Sequence, residues 1–346
     1  MTKFTKGIWI FGLLLLSSFF ISTNFSFSGA RTKIISSSPT SEINQNLPIV
    51  IGYSNWIGWW PWAIAESEGL FAKHNLDVQL KWYDDYTSSL NDLNAGVIDG
   101  NCQTLNDTIS LAASAKKGET IVLVNDNSYG NDKIIAANGI SKIEDLKNKQ
   151  VLIEAGVVDD FLLSLALEQR GLTRNDVQII NLETGAAAAA FAAGQGDAIG
   201  AFPPFWLEAF KRDGAIEIAS SKDFPGAIAD LLVVTQELVE RNPQKVQALV
   251  AVWFDLREFM SNNPTRAEEI IARRAEISAE QLQKFEQGVK MFDLRDNLQA
   301  FEPGKTMKNM PFAAAKISAF LQNYTDFEDV PDLNNIFNSS FVQAHK

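Results

Sequence analysis

The stretch from Ile49 to Leu80 constrains the fold of this chain more than any other. Its first residues, 49–51, form an apolar β-branched run, which predicts a strand covered on both faces. Pro61 is typical of the first turn of a helix, and Gly69 is typical of the position just past a helix end. Residues 78–82 then alternate between apolar and polar, the period of a half-buried strand. Strand, loop, helix and strand in this order predict an open α/β sheet.

The loop after the first strand is rich in tryptophan, with Trp56, Trp59, Trp60 and Trp62 close together. In an open α/β sheet, ligands bind beyond the carboxyl ends of the strands, and this loop occupies that position. Burial in the core explains any single ring equally well. Four rings in one short segment are hard to bury together, so we expect one or two to face a ligand. Trp56 and Trp60 are the candidates.

The first residues predict export. Lys3 and Lys6 precede an apolar stretch at 8–20, and small residues follow up to residue 30. This pattern is typical of a secretory signal peptide, and the apolar part is too short for a stable membrane span. No cysteine follows it, so we expect no lipid anchor. Residues 31–47 are rich in Ser, Thr, Asn and Gln and predict a flexible leader. The expected location is the periplasm.

Composition excludes several classes of partner. The net charge of the chain is −12, and removing residues 1–30 with their two lysines lowers it to −14 (−12 − 2). Nucleic acids and anionic membranes repel such a protein, so we expect neither as a partner. Cys102 is the single cysteine, which excludes an internal disulfide and is expected to be a buried structural thiol. A chain of 346 residues is long enough for two domains.

A short repeat indicates two lobes. The pattern Ala-Gly-x-x-Asp occurs at 95–99 and again at 193–197. In each copy the glycine suits the left-handed residue that ends a helix, and the aspartate leads into a strand. One copy per lobe predicts the following division: lobe one at 48–125 plus 230–346, lobe two at 133–225, and hinge crossovers at 126–132 and 226–235.

The last third of the chain reads as helical. Asn242-Pro243 and Asn263-Pro264 have the form of an N-cap residue followed by proline at the first helical position. Ser278 and Gln281 have the spacing of a capping box. A further helix is predicted at 309–324.

Basic residues are absent from the segments that supply the cleft loops. Residues 82–115 contain no Lys or Arg but five aspartates, and 151–169 and 175–210 also contain no Lys or Arg. An anion site would use basic side chains or a bare helix N-terminus. The pattern therefore favours a cationic ligand.

Asp84 and Asp85 are the leading candidates for contacting such a cation. They lie between Tyr83 and Tyr86, and adjacent acids repel each other unless a cation or hydrogen-bond donors offset them. Further ligand candidates are Thr104, Asp107, Asn127, Asp159 and Trp206. For Asp107 and Asp159, helix capping is an equally good explanation.

Several strings carry a family resemblance. Residues 52–80 resemble the opening of the solute-binding proteins that serve nitrate-, sulfonate- and taurine-type ABC importers, and the similarity continues to at least Phe210. Closer still is the branch associated with urea carboxylase, whose members are regarded as guanidine-uptake components. The strings YDDY, GNCQTLNDT, VNDNSYGND and GVVDDFLL carry this second resemblance, at Tyr83–Tyr86, Gly100–Thr108, Val124–Asp132 and Gly156–Leu163.

The resemblance implies a fold and a role. The expected fold is a two-lobed α/β periplasmic binding protein of type II, with two open, mostly parallel sheets joined by two hinge crossovers. The expected role is ligand capture for an ABC permease and its ATPase, as a monomer without cofactor or metal. In this interpretation guanidinium stacks on Trp56 or Trp60 and pairs with Asp84 or Asp85.

Other interpretations remain open. The same role could serve urea, another nitrogenous or pyrimidine compound, nitrate or a sulfonate, and a ligand-binding sensor subunit would have a similar sequence. An enzyme resembling the thiamine-pyrimidine synthases would depend on a histidine. This chain has only His74, in a predicted surface turn, and His345 near its end, with no Ser-His-Asp set, CxxC pair or phosphate loop. We therefore expect no enzymatic activity.

Overall fold

Eleven strands and fourteen helices make up the described part of the chain in the computed structural model, which covers residues 47–324, 331–333 and 335–346. The predicted signal peptide and nearly all of the predicted leader lie outside these residues. The strands are β1 (Ile49–Tyr53), β2 (Val78–Trp82), β3 (Gly100–Thr104), β4 (Glu119–Ser128), β5 (Lys133–Ala136), β6 (Gln150–Ile153), β7 (Gln178–Asn181), β8 (Ala198–Ala201), β9 (Ile216–Ser220), β10 (Ala229–Thr235) and β11 (Val289–Met291).

The helices are mostly short in the first two thirds of the chain and longer in the last third. None of those in the described ranges is long and apolar enough to cross a membrane. They are α1 (Trp62–Ser67), α2 (Leu70–Lys73), α3 (Tyr86–Asn94), α4 (Leu105–Leu111), α5 (Val158–Gln169), α6 (Thr184–Ala192), α7 (Trp206–Ala209), α8 (Gln236–Arg241), α9 (Pro243–Asn262), α10 (Pro264–Ala275), α11 (Ala279–Glu286), α12 (Leu294–Phe301), α13 (Met310–Tyr324) and α14 (Ser340–Gln343).

The strands form two sheets. The first has the order β11-β4-β10-β3-β1-β2, and the second has the order β7-β6-β8-β5-β9. In the first sheet, β1 to β4 run in one direction, whereas β10 and β11 run antiparallel to their neighbours. In the second sheet only β5 is antiparallel. The predicted α/β class with two mostly parallel sheets is therefore confirmed.

The chain passes between the sheets twice. It leaves the first sheet at the end of β4 and enters the second at β5, through residues 129–132. It returns between β9 and β10, through residues 221–228. Both β4 and β10 extend into the segments predicted as hinge crossovers, so residues 126–128 and 229–235 belong to the first sheet. Residues beside the crossovers can therefore contact both halves.

The Ala-Gly-x-x-Asp repeat marks the same joint in both sheets. Gly96 and Gly194 have positive φ angles of 68° and 92°, the left-handed conformation that ends a helix. The Asp99 carboxylate accepts the backbone N–H of Val50 at 2.9 Å, and the Asp197 carboxylate accepts that of Gln150 at 2.9 Å. Each aspartate thus ties the start of its own strand to the neighbouring parallel strand.

The helical last third follows the predicted boundaries. Helices α9 and α10 each begin with the predicted proline, but neither Asn242 nor Asn263 makes a side-chain cap hydrogen bond. The capping box at the start of α11 is present, with both bonds between Ser278 and Gln281. Helices α9 and α10 pack on α1, so they cover the first sheet.

Replacing Asp99 by Ala should lower the free energy of unfolding by about 1–2 kcal/mol, because a hydrogen bond to a charged group is lost and the Val50 N–H loses its partner. Urea denaturation followed by circular dichroism measures the loss. Asp77→Ala is the matched control, since Asp77 also precedes a strand of the same sheet and its side chain is exposed. Equal losses in the two variants would contradict the anchoring role.

Candidate functional site

A narrow cavity lies where the two sheets meet. It encloses about 270 Å³ of space, a value that includes its open mouth. The first sheet contributes aromatic and polar residues from the tryptophan loop and from α3 and β3, and the second contributes apolar residues. The lining residues are Asn55, Trp56, Trp59, Tyr86, Thr104, Asp132, Val158, Phe202, Ile228 and Asp230.

The cavity walls are aromatic on both sides. The Trp59 ring lies 5.4 Å from the Tyr86 ring and 6.3 Å from the Trp56 ring, measured between centroids. Phe202, from the second sheet, meets the Trp56 ring edge-on at 6.4 Å. These rings contact one another at tilted or edge-on angles, so a small cation in the cavity would lie beside aromatic surface.

Five buried aspartates surround the cavity: Asp107, Asp126, Asp132, Asp159 and Asp230. Each of them is at most 1 % exposed. Two of them, Asp132 and Asp230, line the cavity, and each has one carboxyl oxygen, Oδ2, without a hydrogen-bond partner. Buried carboxyl groups normally have hydrogen-bond partners, so these two oxygens are acceptors that a ligand in the cavity could use.

Asp107 lies directly behind the cavity wall. Its carboxylate accepts hydrogen bonds from the Tyr86 hydroxyl at 2.7 Å, the Thr104 hydroxyl at 2.8 Å and the Asn106 amide at 3.0 Å. Thr104 in turn caps α4 through its side chain. This network fixes the positions of Tyr86 and Thr104, which both face the cavity.

Asp126 fixes the tryptophan loop. The Trp56 indole N–H donates to its two carboxyl oxygens at 3.1 and 3.3 Å. A Cβ atom added at Gly58 would lie 1.6 Å from Asp126 Oδ2, so this loop position requires glycine. The loop therefore runs directly over the carboxylate, and the Trp56 ring is oriented by it.

Burial raises the pKa values of these carboxyl groups. The pKa of Asp107 rises to about 6 and that of Asp132 to about 7, although hydrogen bonds from Tyr86 and from Ser128, respectively, oppose the effect of burial. Burial also raises the pKa of Asp159 well above its usual range, and the charges of Asp132 and Glu154 add to the effect. A bound cation would reverse these shifts.

No basic side chain lines the cavity. The Arg257 guanidinium interacts with Asp126 from α9, behind the wall, and Lys133 pairs with Glu217 at 2.5 Å. Within the described residues, no group of three or more His, Cys, Asp or Glu side chains has the arrangement of a metal site. The site therefore offers negative charge, hydrogen-bond acceptors and aromatic faces, but no positive group to hold an anion.

The structure brings several of the predicted site residues together. Trp56 and Thr104 line the cavity, and Asp107 bonds to its wall. Asp159 is buried beside it, where it accepts a hydrogen bond from the Thr184 hydroxyl at 3.1 Å and leaves Oδ1 without a partner.

Asp84 and Asp85 lie nearer the surface. Asp84 is exposed, accepts the Trp82 indole N–H at 2.8 Å and lines a shallow recess beside Glu154 and Glu183. Asp85 is the N-cap of α3, accepting from the backbone N–H groups of Thr87 and Ser88 at 3.1 Å. Helix capping thus offsets the repulsion between these two adjacent acids.

The remaining predicted residues lie outside the cavity lining. Trp60 is fully buried, with its ring 6.2 Å from that of Phe285, and belongs to the core. Trp206, the first residue of α7, packs edge-on against the same Phe285 ring at 5.2 Å. Asn127 accepts the Gly226 backbone N–H at 3.2 Å.

Sequence reasoning did not identify Asp126, Asp132 and Asp230 as site residues, nor the cavity-lining rings of Trp59, Tyr86 and Phe202. A usable indication was present for Asp126, since it follows closely on the apolar run at 121–124 in a strand that the structure buries along its whole length. Asp132 and Asp230 were assigned to the crossovers, and the structure places them at the junction of the two halves.

Comparison with known proteins gives a family match and a fold. Residues 44–275 match the profile described as the NMT1-like family. A binding protein of Brucella abortus (strain 2308) is 29 % identical over 250 residues, which cover 71 % of this chain and 77 % of that protein. The taurine-binding periplasmic protein of Escherichia coli K12 is 24 % identical over 208 residues, which cover 59 % of this chain and 64 % of that protein.

Solved structures share the fold. The periplasmic aliphatic sulphonate-binding protein of Escherichia coli gives a TM-score of 0.66 at 20 % identity, covering 84 % of this chain and 96 % of that one. The periplasmic nitrate-binding protein of Synechocystis PCC 6803 gives a TM-score of 0.68 at 12 % identity, covering 86 % of this chain and 87 % of that one. A desulfurization enzyme gives a TM-score of 0.61 at 14 % identity, covering 86 % of this chain and 98 % of that one. The periplasmic binding protein fold predicted from the sequence is confirmed, and the fold also occurs in an enzyme.

Without ligand, the protein should become more stable as the pH falls from 8 to 5. The folded pKa values of Asp107 and Asp132, about 6 and 7, lie above the unfolded value of about 3.9, so ionising these groups costs stability in the folded state. The contribution of these two groups to the free energy of unfolding is fully present below pH 4 and is lost as the pH rises toward 7. We expect the free energy of unfolding to be about 2 kcal/mol or more higher at pH 5 than at pH 8. In Asp132→Asn the slope should be shallower, and a stability that increases from pH 5 to pH 8 would contradict the arrangement.

Proposed function

Because the chain belongs to the NMT1-like family, we propose that it is the exported solute-binding component of an ABC importer, and that it captures a small nitrogen-rich cation, guanidinium, in the cavity between its two sheets. One observation carries the choice of ligand. The cavity has two unpartnered carboxyl oxygens, on Asp132 and Asp230, and no basic side chain in its lining.

Charge separates this site from an anion site. A sulfonate or nitrate in the cavity would lie against Asp132 and Asp230 with no Lys or Arg to pair with, and a buried unpaired charge is strongly unfavourable. The proteins that bind sulphonate and nitrate share this chain's fold at 20 % identity or less, so their ligands do not determine its ligand.

Shape and hydrogen bonding favour guanidinium. It is planar and carries donors around its rim, as the arginine head group does, and carboxylates bind that group with paired hydrogen bonds. Asp132 and Asp230 supply the acceptors, and the rings of Trp56, Trp59 and Phe202 supply faces for a weakly hydrated cation.

Urea is the second candidate, for one specific reason. The indole N–H of Trp59, a ring that lines the cavity, has no hydrogen-bond partner and could donate to a carbonyl oxygen. Guanidinium has no such acceptor. Urea, however, brings no positive charge to Asp132 and Asp230.

Isothermal calorimetry should show guanidinium binding at least about 100-fold more tightly than urea, a difference of about 2.7 kcal/mol. Asp132→Asn should weaken guanidinium binding by a similar factor and change urea binding little, because only the cation loses a charge partner. Asp84→Asn is the matched control, and its exposed carboxylate should contribute less than a threefold change. Tighter binding of urea, nitrate or a sulfonate by the unmodified protein would contradict the cationic site. A large loss of guanidinium affinity in Asp84→Asn would instead indicate that Asp84 is the charge partner of the ligand.

Capture also requires the two halves to close over the ligand, and the structure contains a bond that would hold them closed. The Thr87 hydroxyl, on α3 beside the first sheet, donates to the Glu154 carboxylate, which follows β6 in the second sheet. The same carboxylate accepts from the Thr184 N–H and hydroxyl at 3.2 and 2.9 Å, so its position is fixed from its own side.

Small-angle scattering should show a smaller radius of gyration with saturating guanidinium than without ligand, as expected for hinge closure. Thr87→Val removes the hydroxyl that bonds across the cleft and should weaken binding about fivefold, equivalent to about 1 kcal/mol. Ser88→Ala is the control, since the Ser88 hydroxyl bonds to Asp85 at its own helix start. Identical scattering with and without bound ligand would rule out closure.

A further inference from the structure

Two of the buried aspartates face each other directly across neighbouring strands. Asp126 of β4 pairs in register with Asp230 of β10, so the two side chains lie side by side on the same face of the sheet. Neither is more than 1 % exposed. A carboxyl–carboxyl hydrogen bond requires a proton on one of the two, and like charges directly opposite each other in a sheet are destabilising.

The surroundings decide which carboxyl group holds the proton. Asp126 accepts the Trp56 indole N–H through both oxygens and has the Arg257 guanidinium on its side. Asp230 has neither, and its Oδ2 has no partner. Both features favour the anion on Asp126 and the neutral acid on Asp230.

The other groups near the pair reinforce this assignment. The crossover contributes Asp132, α4 contributes Asp107, and β3 contributes the buried thiol Cys102. On β11 and the segment after it, Lys290 is paired with Asp296 at 2.6 Å. Burial raises the pKa of Asp230 well above its usual range, and the charges of Asp126, Asp132 and Asp107 raise it further.

We propose that Asp126 and Asp230 share one proton when the cavity is empty, and that a bound cation displaces this proton to solvent. The proposal rests on the proposed function, because Asp230 lines the cavity that would hold the cation. On binding, the O–H bond of Asp230 breaks, the proton passes to the buffer, and the positive charge of the ligand takes its place. Each capture event then exchanges one cation for one proton, and the charge of the buried cluster is preserved.

The consequence is a pH-dependent affinity. At low pH the cation must compete with the proton, so guanidinium should bind about tenfold more weakly for each pH unit below the pKa of the pair and reach a plateau above it. Guanidinium itself stays charged over this range, as the arginine side chain does. Urea carries no charge and should displace no proton.

Calorimetry in two buffers with different heats of ionisation, phosphate and Tris, at pH 7 counts the protons released. We expect about 0.5 to 1 proton per guanidinium bound by the unmodified protein. In Asp230→Asn the count should fall by at least half, because this variant lacks the carboxyl group that carries the shared proton. Asp132 is unchanged in this variant, so any release from Asp132 persists. Asp213→Asn, at an exposed aspartate, is the control and should release as many protons as the unmodified protein.

Two outcomes would overturn the proposal: binding without proton release, or equal release by the unmodified protein and Asp230→Asn. A failure of guanidinium to bind would count against the proposed function instead. Infrared spectroscopy of the ligand-free protein then tests separately whether the carboxyl pair holds a proton. The absorption of a protonated carboxyl group at pH 7 should be weaker in Asp230→Asn than in the unmodified protein. Equal absorption in the two proteins would contradict the presence of a shared proton.

Discussion

The pairing of β4 with β10 determines how the rest of this structure is arranged. These are the two strands that end beside the crossovers, so whatever they carry lies between the two halves of the molecule. They carry Asp126 opposite Asp230, and the tryptophan loop is held over Asp126 by an indole hydrogen bond. The strand register, the charge of the cavity and the orientation of its aromatic wall thus depend on one ladder of backbone hydrogen bonds.

Such a cluster is unfavourable in the empty protein. Five buried carboxyl groups without a basic partner in the cavity lower stability wherever they ionise, and mutation of a functional group of this kind often raises stability. Such repulsion falls when one of the carboxyl groups is protonated or when a positive charge lies beside it.

Local patterns predicted the fold well. The strand–loop–helix unit at its start, the Ala-Gly-x-x-Asp joints and the capping box at Ser278 each depend on neighbours within a few residues, and the structure shows all three. The site itself stays a prediction. Among the described residues the cavity lining contains no Lys or Arg, and Trp56 and Thr104 belong to that lining.

The identity of the acids depends on strand register, which local patterns do not contain. Asp126 and Asp230 are far apart in the chain, and nothing near either one indicates that they face each other. Asp84 and Asp85 gave a stronger local pattern because they are adjacent, yet Asp85 is the N-cap of α3. The burial of Trp60 depends in the same way on Phe285, which comes from the distant helix α11.

Phe285 also links the optical properties of the two halves. Its ring lies between Trp60, beside the first sheet, and Trp206, which is the only tryptophan between residues 133 and 220. A rotation of one half against the other would move Trp206 along this ring and change the polarity around its indole. Its emission would then report the angle between the halves, as a change on top of the emission of the other seven tryptophans.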